Sequence, residues 1–288
     1  MRLAMLLLLW VWTMVAQGEE LPPWVSPEGH DDPHAGMVLD TANGIWLTPV
    51  MLVESLASAT HVLVGEKHDN PDHHQLQLWL LQQLHDRRPQ GSLLMEMIEP
   101  AQQAAVDRLQ NQTPQDSGAL ERELEWSEGW DWALYGPLVR WGLSHPERLL
   151  AANLGAEEMR AIYQAPPPTS PVYDGAAIKA LNDAISSSHC GKLPESQFPA
   201  MLSIQQARDA AGRQLSRAQG SGRPAALAGG RPGSALGGDA GGGGKRVAGP
   251  VPGRFCLGHC GLAGTGLLCA VGIVEAIRQK NGPLIERA

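Results

Sequence analysis

Tyrosine and phenylalanine are scarce in this chain: of 288 residues only three are tyrosine and two phenylalanine. Any chemistry that runs through a phenol has only Tyr135, Tyr163 and Tyr173 to draw on. Positive charge is also short. The formal net charge is −8, whereas a nucleic-acid binder carries a basic footprint. Long apolar runs are missing too, which excludes a polytopic membrane protein. The four cysteines make a poor disulfide framework, because Cys190 stands alone while Cys256, Cys260 and Cys269 crowd together. Cys256 and Cys260 flank His259 but lack the second ligand pair of a structural zinc site. The coherent part of the sequence has no Gly-rich phosphate loop, no G-x-S-x-G elbow and no HExxH helix. Kinase, serine hydrolase and ordinary zinc protease readings are weakened accordingly.

What is present suffices for a folded protein. At 43% apolar and 18% charged, the chain is not disordered as a whole, and its length fits one large domain or two modest ones. Its composition changes along the way. Residues 1–200 hold 11 Lys and Arg against 26 Asp and Glu, whereas residues 201–288 hold 11 against 4. The last 88 residues also carry 20 of the 33 glycines, while every tryptophan lies at or before Trp141. At the other end, Arg2 precedes a mostly apolar run from Leu3 to Val15, then Ala16-Gln17-Gly18. That order is the pattern of a cleavable secretory signal over residues 1–18, which predicts export.

The middle of the chain alternates strand and helix signals. After a Pro-rich lead, the fold is expected to begin near Met37. His61–Gly65, Ser92–Ile98 and Arg148–Asn153 read as buried strands. Asn70 followed by Pro71 is a cap and first-turn pair, so a helix is predicted over 71–86. Helices are expected from Pro100 to Leu109, behind Gly155, and from Ser196 to Gln219. The last should be interrupted at Pro199, with Met201, Ile204, Ala207, Ala211 and Leu215 facing inward. Trp126, Trp130, Leu134, Leu138 and Trp141 fall on one helical stripe that reads as core. This alternation predicts an α/β fold: a three-layer parallel β-sheet flanked by helices, with a smaller helical subdomain.

In such sheets ligands bind at the carboxyl ends of the strands. Those ends carry Glu66 and His68, Glu96, and Asn153. His73 and His74 follow on the first turn of the next helix, where adjacent positions diverge by about a hundred degrees, so at most one can face a shared site. Carboxylates beside imidazoles suit either metal binding or general acid–base chemistry.

The run Val62-Leu63-Val64-Gly65-Glu66-Lys67-His68-Asp69-Asn70-Pro71, with His73-His74 and Gln77, resembles the opening motif of the ChaN-like haem-binding family of the Tiki/erythromycin-esterase superfamily. Further pieces follow in that family's order. They are Leu94-Met95-Glu96-Met97 with Gln102-Gln103, Trp126 with Gly129-Trp130, Tyr135-Gly136-Pro137, and Ala151-Ala152-Asn153-Leu154. Cys190-Gly191 with Leu193-Pro194-Glu195, and Gln206-Ala207-Arg208-Asp209-Ala210-Ala211, complete the set. The resemblance covers roughly residues 37–215 and implies a haem-binding domain over 37–220, incomplete at its C-terminal end. It implies a bacterial protein of haem and iron uptake, exported to the periplasm or the outer-membrane periphery. Haem is the implied cofactor, with a homodimer and outer-membrane haem-uptake components as implied partners. The expected haem-binding set is Tyr135, His68, His73, Glu66, Glu96 and Arg208, with Tyr135, inside a family motif, as the iron ligand. The rival implication, a hydrolase, would use Glu66, His68 and Glu96 as catalytic groups.

Two departures stand out. The family is commonly lipidated after its signal, and no cysteine follows this one. After Ala225–Gly230 the family closes a last strand and presents a His-and-Arg turn, but here Arg231-Pro232-Gly233 and a Gly/Ala run follow. Lost motif, glycine enrichment and charge reversal coincide there. The expectation is that residues 221–288 form an anomalous tail, its last 60 or so residues read out of frame or from a disrupted gene. Loss of the strand would leave a sheet edge open.

Overall fold

In the computed structural model, residues 20–26, 32–41, 43–112, 116–171, 173–188 and 192–218 are described, together with the backbone strands at 225–230, 254–257 and 272–277. The signal segment, Cys190-Gly191, and Cys260 and Cys269 lie outside the described residues.

Eight strands form one sheet in the order β2-β1-β7-β8-β3-β6-β4-β5. These are β1 (Val38–Asp40), β2 (Ile45–Leu47), β3 (His61–Gly65), β4 (Ser92–Met95), β5 (Arg148–Ala151), β6 (Ala225–Gly230), β7 (Arg254–Leu257) and β8 (Gly272–Ile277). The class is α/β, as expected, but the sheet is mixed. β3, β6, β4 and β5 run parallel, whereas β8, β7, β1 and β2 join through antiparallel pairs. The expectation of a parallel sheet therefore holds for one half only. The open edges of the sheet thus fall at β2 and β5, while the position between β3 and β4 is filled by β6. Three strands from beyond residue 220 belong to the sheet, so the fold does not stop at that boundary.

The helices are α1 (Pro49–Leu56), α2 (Pro71–Arg87), α3 (Gln103–Leu109, after a short 3₁₀ turn from Pro100), α4 (Ser117–Glu123), α5 (Trp132–Ser144), α6 (Ala156–Gln164), α7 (Gly175–Ser188) and α8 (Phe198–Ala218). Period-two alternation sorts the strand side chains. Leu93, Met95, Leu149 and Ala151 join the core built with Leu81 of α2, Val106 of α3, and Leu138 and Trp141 of α5. Leu94, Leu150 and Ala152 form a separate cluster, against which Leu215 of α8 packs. A second core joins Val62 and Val64 to α1 and to Leu76, Leu80 and Leu84 of α2. Tyr173, Ala177, Leu181, Ile185 and Leu202 make a smaller helical core between α7 and α8.

Three expectations change here. The Pro-rich lead is docked, not loose. Leu21 and Trp24 pack on the second core, and the Asp72 carboxylate accepts from the backbone N–H of Val25 at 2.6 Å and of Ser26 at 3.1 Å. The tryptophan stripe is not one helix: Trp126 and Trp130 precede α5, after a reversal at Glu125 (φ 49°), yet both still pack on the first core. In α8, Pro199 sits in the first turn and does not interrupt the helix, as fits a residue without an N–H. Its buried residues include Leu202, Ser203, Gln205 and Gln206, while Met201 and Ile204 are only half-buried.

Candidate functional site

Gly65 ends β3, and the next five residues, Glu66 to Asn70, carry the strand end into the first turn of α2. Asn70 caps that helix as expected, its side chain accepting from Asp72 N at 2.9 Å and His73 N at 3.3 Å. This tight strand–loop–helix corner folds Glu66 inward and leaves His68 at its mouth.

The Glu66 side chain is fully buried, and three groups converge on it. His68 Nδ1 lies 2.7 Å from Oε1, and the Tyr135 hydroxyl donates to the same oxygen. His74 Nδ1 lies 3.0 Å from Oε2. Burial alone would raise the Glu66 pKa. The hydrogen bonds from His68 and His74, the charge of His74 and the Tyr135 hydroxyl outweigh it, and the carboxyl is held at about 2. Tyr135 moves the opposite way. Burial, then the neighbouring Glu66 charge and the hydrogen bond to it, push its phenol well above the ordinary range. At 1% exposure, with its hydroxyl directed at Glu66, Tyr135 is a buried support and not an open donor.

His68 is differently placed. A carboxylate accepts only, so the hydrogen between His68 and Glu66 sits on Nδ1, which makes Nε2 the lone-pair nitrogen of the neutral ring. Nε2 has no partner among the described residues, and the side chain is 31% exposed. The Trp130 ring stands edge-on to it at 5.0 Å. The corner thus presents one oriented, accessible imidazole nitrogen.

The other expected residues separate. His73 and His74 are both buried, but only His74 reaches Glu66. His73 Nδ1 accepts from the backbone N–H of Lys67 at 2.9 Å and so holds the loop. His74 is the residue that sequence reasoning left out of the set. Its Nε2 donates to the His68 carbonyl at 3.1 Å, so it ties helix, carboxylate and loop together. Glu96, at the end of β4 and separated from β3 by β6, meets Arg208, 3.1 Å from Oε1 to Nη1. Arg208 also lies 3.3 Å from Met159 Sδ, and its Nε is buried without a hydrogen-bond partner. Asn153 turns its side chain back onto the Leu154 N–H at 2.8 Å.

Among the described residues no group of three or more His, Cys, Asp and Glu side chains is arranged to hold a bare metal ion. A macrocycle that already supplies four nitrogens to its iron needs only an axial donor, and a lone imidazole nitrogen fits that requirement.

A buried carboxylate–imidazole corner at the end of a parallel strand, in an α/β sheet, defines a ligand-binding protein of the strand-end class. Residues 52–212, more than half of the chain, match the family described as haem-binding uptake, Tiki superfamily, ChaN, and the chain belongs to that family. Among solved structures it is similar to the one described as cofacial heme binding to ChaN of Campylobacter jejuni. The TM-score is 0.59 at 25% identity, over 67% of this chain and 79% of that one. No curated protein matches the chain.

Proposed function

We propose that this protein binds haem in bacterial iron uptake, with His68 Nε2 as the iron's axial partner. The observation that carries the proposal is the Glu66–His68 pair at 2.7 Å, with the distal imidazole nitrogen unengaged on a half-buried ring. Family membership supplies the ligand, and the donor chemistry fits it: imidazole is an established axial ligand, and a carboxylate on its other nitrogen raises ligand basicity. Haem when bound supplies the iron and its macrocycle. The chain's own part is to fix the tautomer, orient the ring and keep the supporting carboxylate ionised. In this reading Tyr135 is the support of Glu66 and not the iron ligand, because its hydroxyl is buried and committed. Glu96 and Arg208 form a second polar pair at the end of β4, and the Arg208 guanidinium is a group that would suit a haem propionate.

The same reading takes the parallel half of the sheet as the middle of three layers, because Leu93 and Met95 pack with one cluster and Leu94 with another. It takes residues 1–18 as an export signal to the periplasm or outer-membrane periphery, on the Leu3–Val15 run, and a homodimer and outer-membrane uptake components as partners. It takes the last 60 or so residues as read out of frame. Absence of a Gly-x-x-His-like continuation in both other frames of the coding DNA would sink that point.

A haemin titration of the full chain tests the function, with Tyr135→Phe alongside. A saturable, shifted Soret band whose shape survives in the variant is expected. A flat titration of the folded protein overturns the proposal. One observation keeps a hydrolase as the second reading: an imidazole oriented by a buried carboxylate is also a general base. Turnover of an ester or peptide by haem-free protein, lost in His68→Ala, would favour it.

A further inference from the structure

On the far side of α5 lies a second ligand-sized feature. A groove of about 620 Å3 opens between α2 and α5, within the range of small-molecule sites. Its walls are almost wholly apolar, built from Leu78, Trp132, Pro137 and Trp141. Of the groove residues on α5, Ala133, Pro137, Arg140, Trp141 and Ser144 fall about 140° to 240° around the helix from Tyr135 and only Trp132 lies nearer, so most of the groove faces away from the Glu66 corner.

Two polar side chains in the lining are chemically specific. Arg140 brings a guanidinium to the apolar wall, and it has no ion-pair partner among the described residues. His145 caps α5 with its Nδ1 3.0 Å from the Trp141 carbonyl. A carbonyl only accepts, so Nδ1 carries the hydrogen and Nε2 is left as the lone-pair nitrogen. The ring is held on two sides: Trp141 stacks on it at 4.9 Å and 3°, and His85 stands edge-on at 5.4 Å. An oriented imidazole, an uncompensated cation and tryptophan walls together suit a flat apolar macrocycle that carries carboxylates and a metal with an open axial position.

We infer that the α2–α5 groove is a second haem site, with His145 as the iron's partner and Arg140 on a propionate. The inference rests on the proposed haem-binding function for its ligand, but not on His68. Haemin is titrated into the full chain and into His68→Ala, His145→Ala, Arg140→Ala and Ala133→Trp, the last of which puts a bulky ring on the groove wall and leaves His145 in place. Soret absorbance gives stoichiometry, and the site variants assign each haem to its site, since Trp130 beside His68 and Trp132 and Trp141 in the groove would all be quenched. The expected result is two haem per wild-type chain and one in His145→Ala and in Ala133→Trp, with the remaining band unchanged. In Arg140→Ala the second haem binds about tenfold more weakly.

Other outcomes divide the two sites. One haem per chain, lost in His68→Ala and kept in His145→Ala, overturns the groove and leaves the proposed function standing. One haem lost in His145→Ala and kept in His68→Ala establishes the groove and removes the strand-end site. Two haem that both survive His145→Ala and Ala133→Trp overturn the groove. No haem on folded protein overturns both.

Discussion

Glu66 is the residue on which the corner turns. It is fully buried, ionised, and met by His68, His74 and Tyr135 together. Glu66→Gln would put an amide N–H₂ among groups that donate, so it should cost about 3 kcal/mol by chemical denaturation. Any haem affinity that depends on His68 should fall about 10- to 100-fold with it. Tyr135→Phe removes one hydrogen bond to a charged acceptor and should cost about 1.5–3 kcal/mol in the same measurement, with the Soret maximum unmoved. Much of this site was legible beforehand, because a buried strand ending in Gly65 and a capped helix at Asn70-Pro71 place Glu66 and His68 on the rim. The choice between His73 and His74 was not legible. It depends on the rotational phase at which α2 meets the sheet, and packing of Leu76 and Leu80 sets that phase, not the two histidines. Tyr135 was found for its motif, but its burial and its hydrogen bond to Glu66 could not be read from a motif.

At the scale of elements, α2 and α5 do the positioning. The Asp72 carboxylate at the start of α2 takes both backbone N–H groups of Val25 and Ser26, so it fastens the N-terminal lead. Asp72→Ala should release that lead, seen as faster proteolysis ahead of residue 37, and should cost about 1–3 kcal/mol of stability. In α5, a Cβ on Gly142 would sit 3.0 Å from methyl groups of both Leu149 and Leu93. Gly142→Ala should therefore destabilise by about 1–3 kcal/mol through overpacking, partly offset by about 1 kcal/mol of helix propensity, with thermal unfolding as the check. Helix starts with Asn or Pro signals were readable. The docking of a proline-rich lead was not, because its contacts are made to a helix more than 40 residues away.

For the whole molecule, the Glu66 pKa fixes an acid limit. Its ordinary value is 4.5 and its folded value about 2, so the stabilisation is complete above the first and lost as the pH falls toward the second. That amounts to roughly 3 kcal/mol at neutral pH, and the unfolding midpoint should drop steeply between pH 4.5 and 2 in wild type but not in Glu66→Gln. The sheet as a whole was only half legible. The parallel strands β3, β4 and β5 announce themselves as apolar runs, whereas β6 to β8 lie in a Gly- and Ala-rich region whose composition hides them. Because β6 sits between β3 and β4, a chain ended at residue 220 should lose cooperative unfolding by circular dichroism. In the function proposed above, His68 offers its distal nitrogen to haem iron. The most direct measurement is the ferric-haem absorption spectrum of His68→Ala made in a His145→Ala background, so that only the strand-end site is read, with and without added imidazole. The spectrum of the His145→Ala chain should be lost when His68→Ala is added and be restored by imidazole. A spectrum left unchanged by His68→Ala would overturn the assignment.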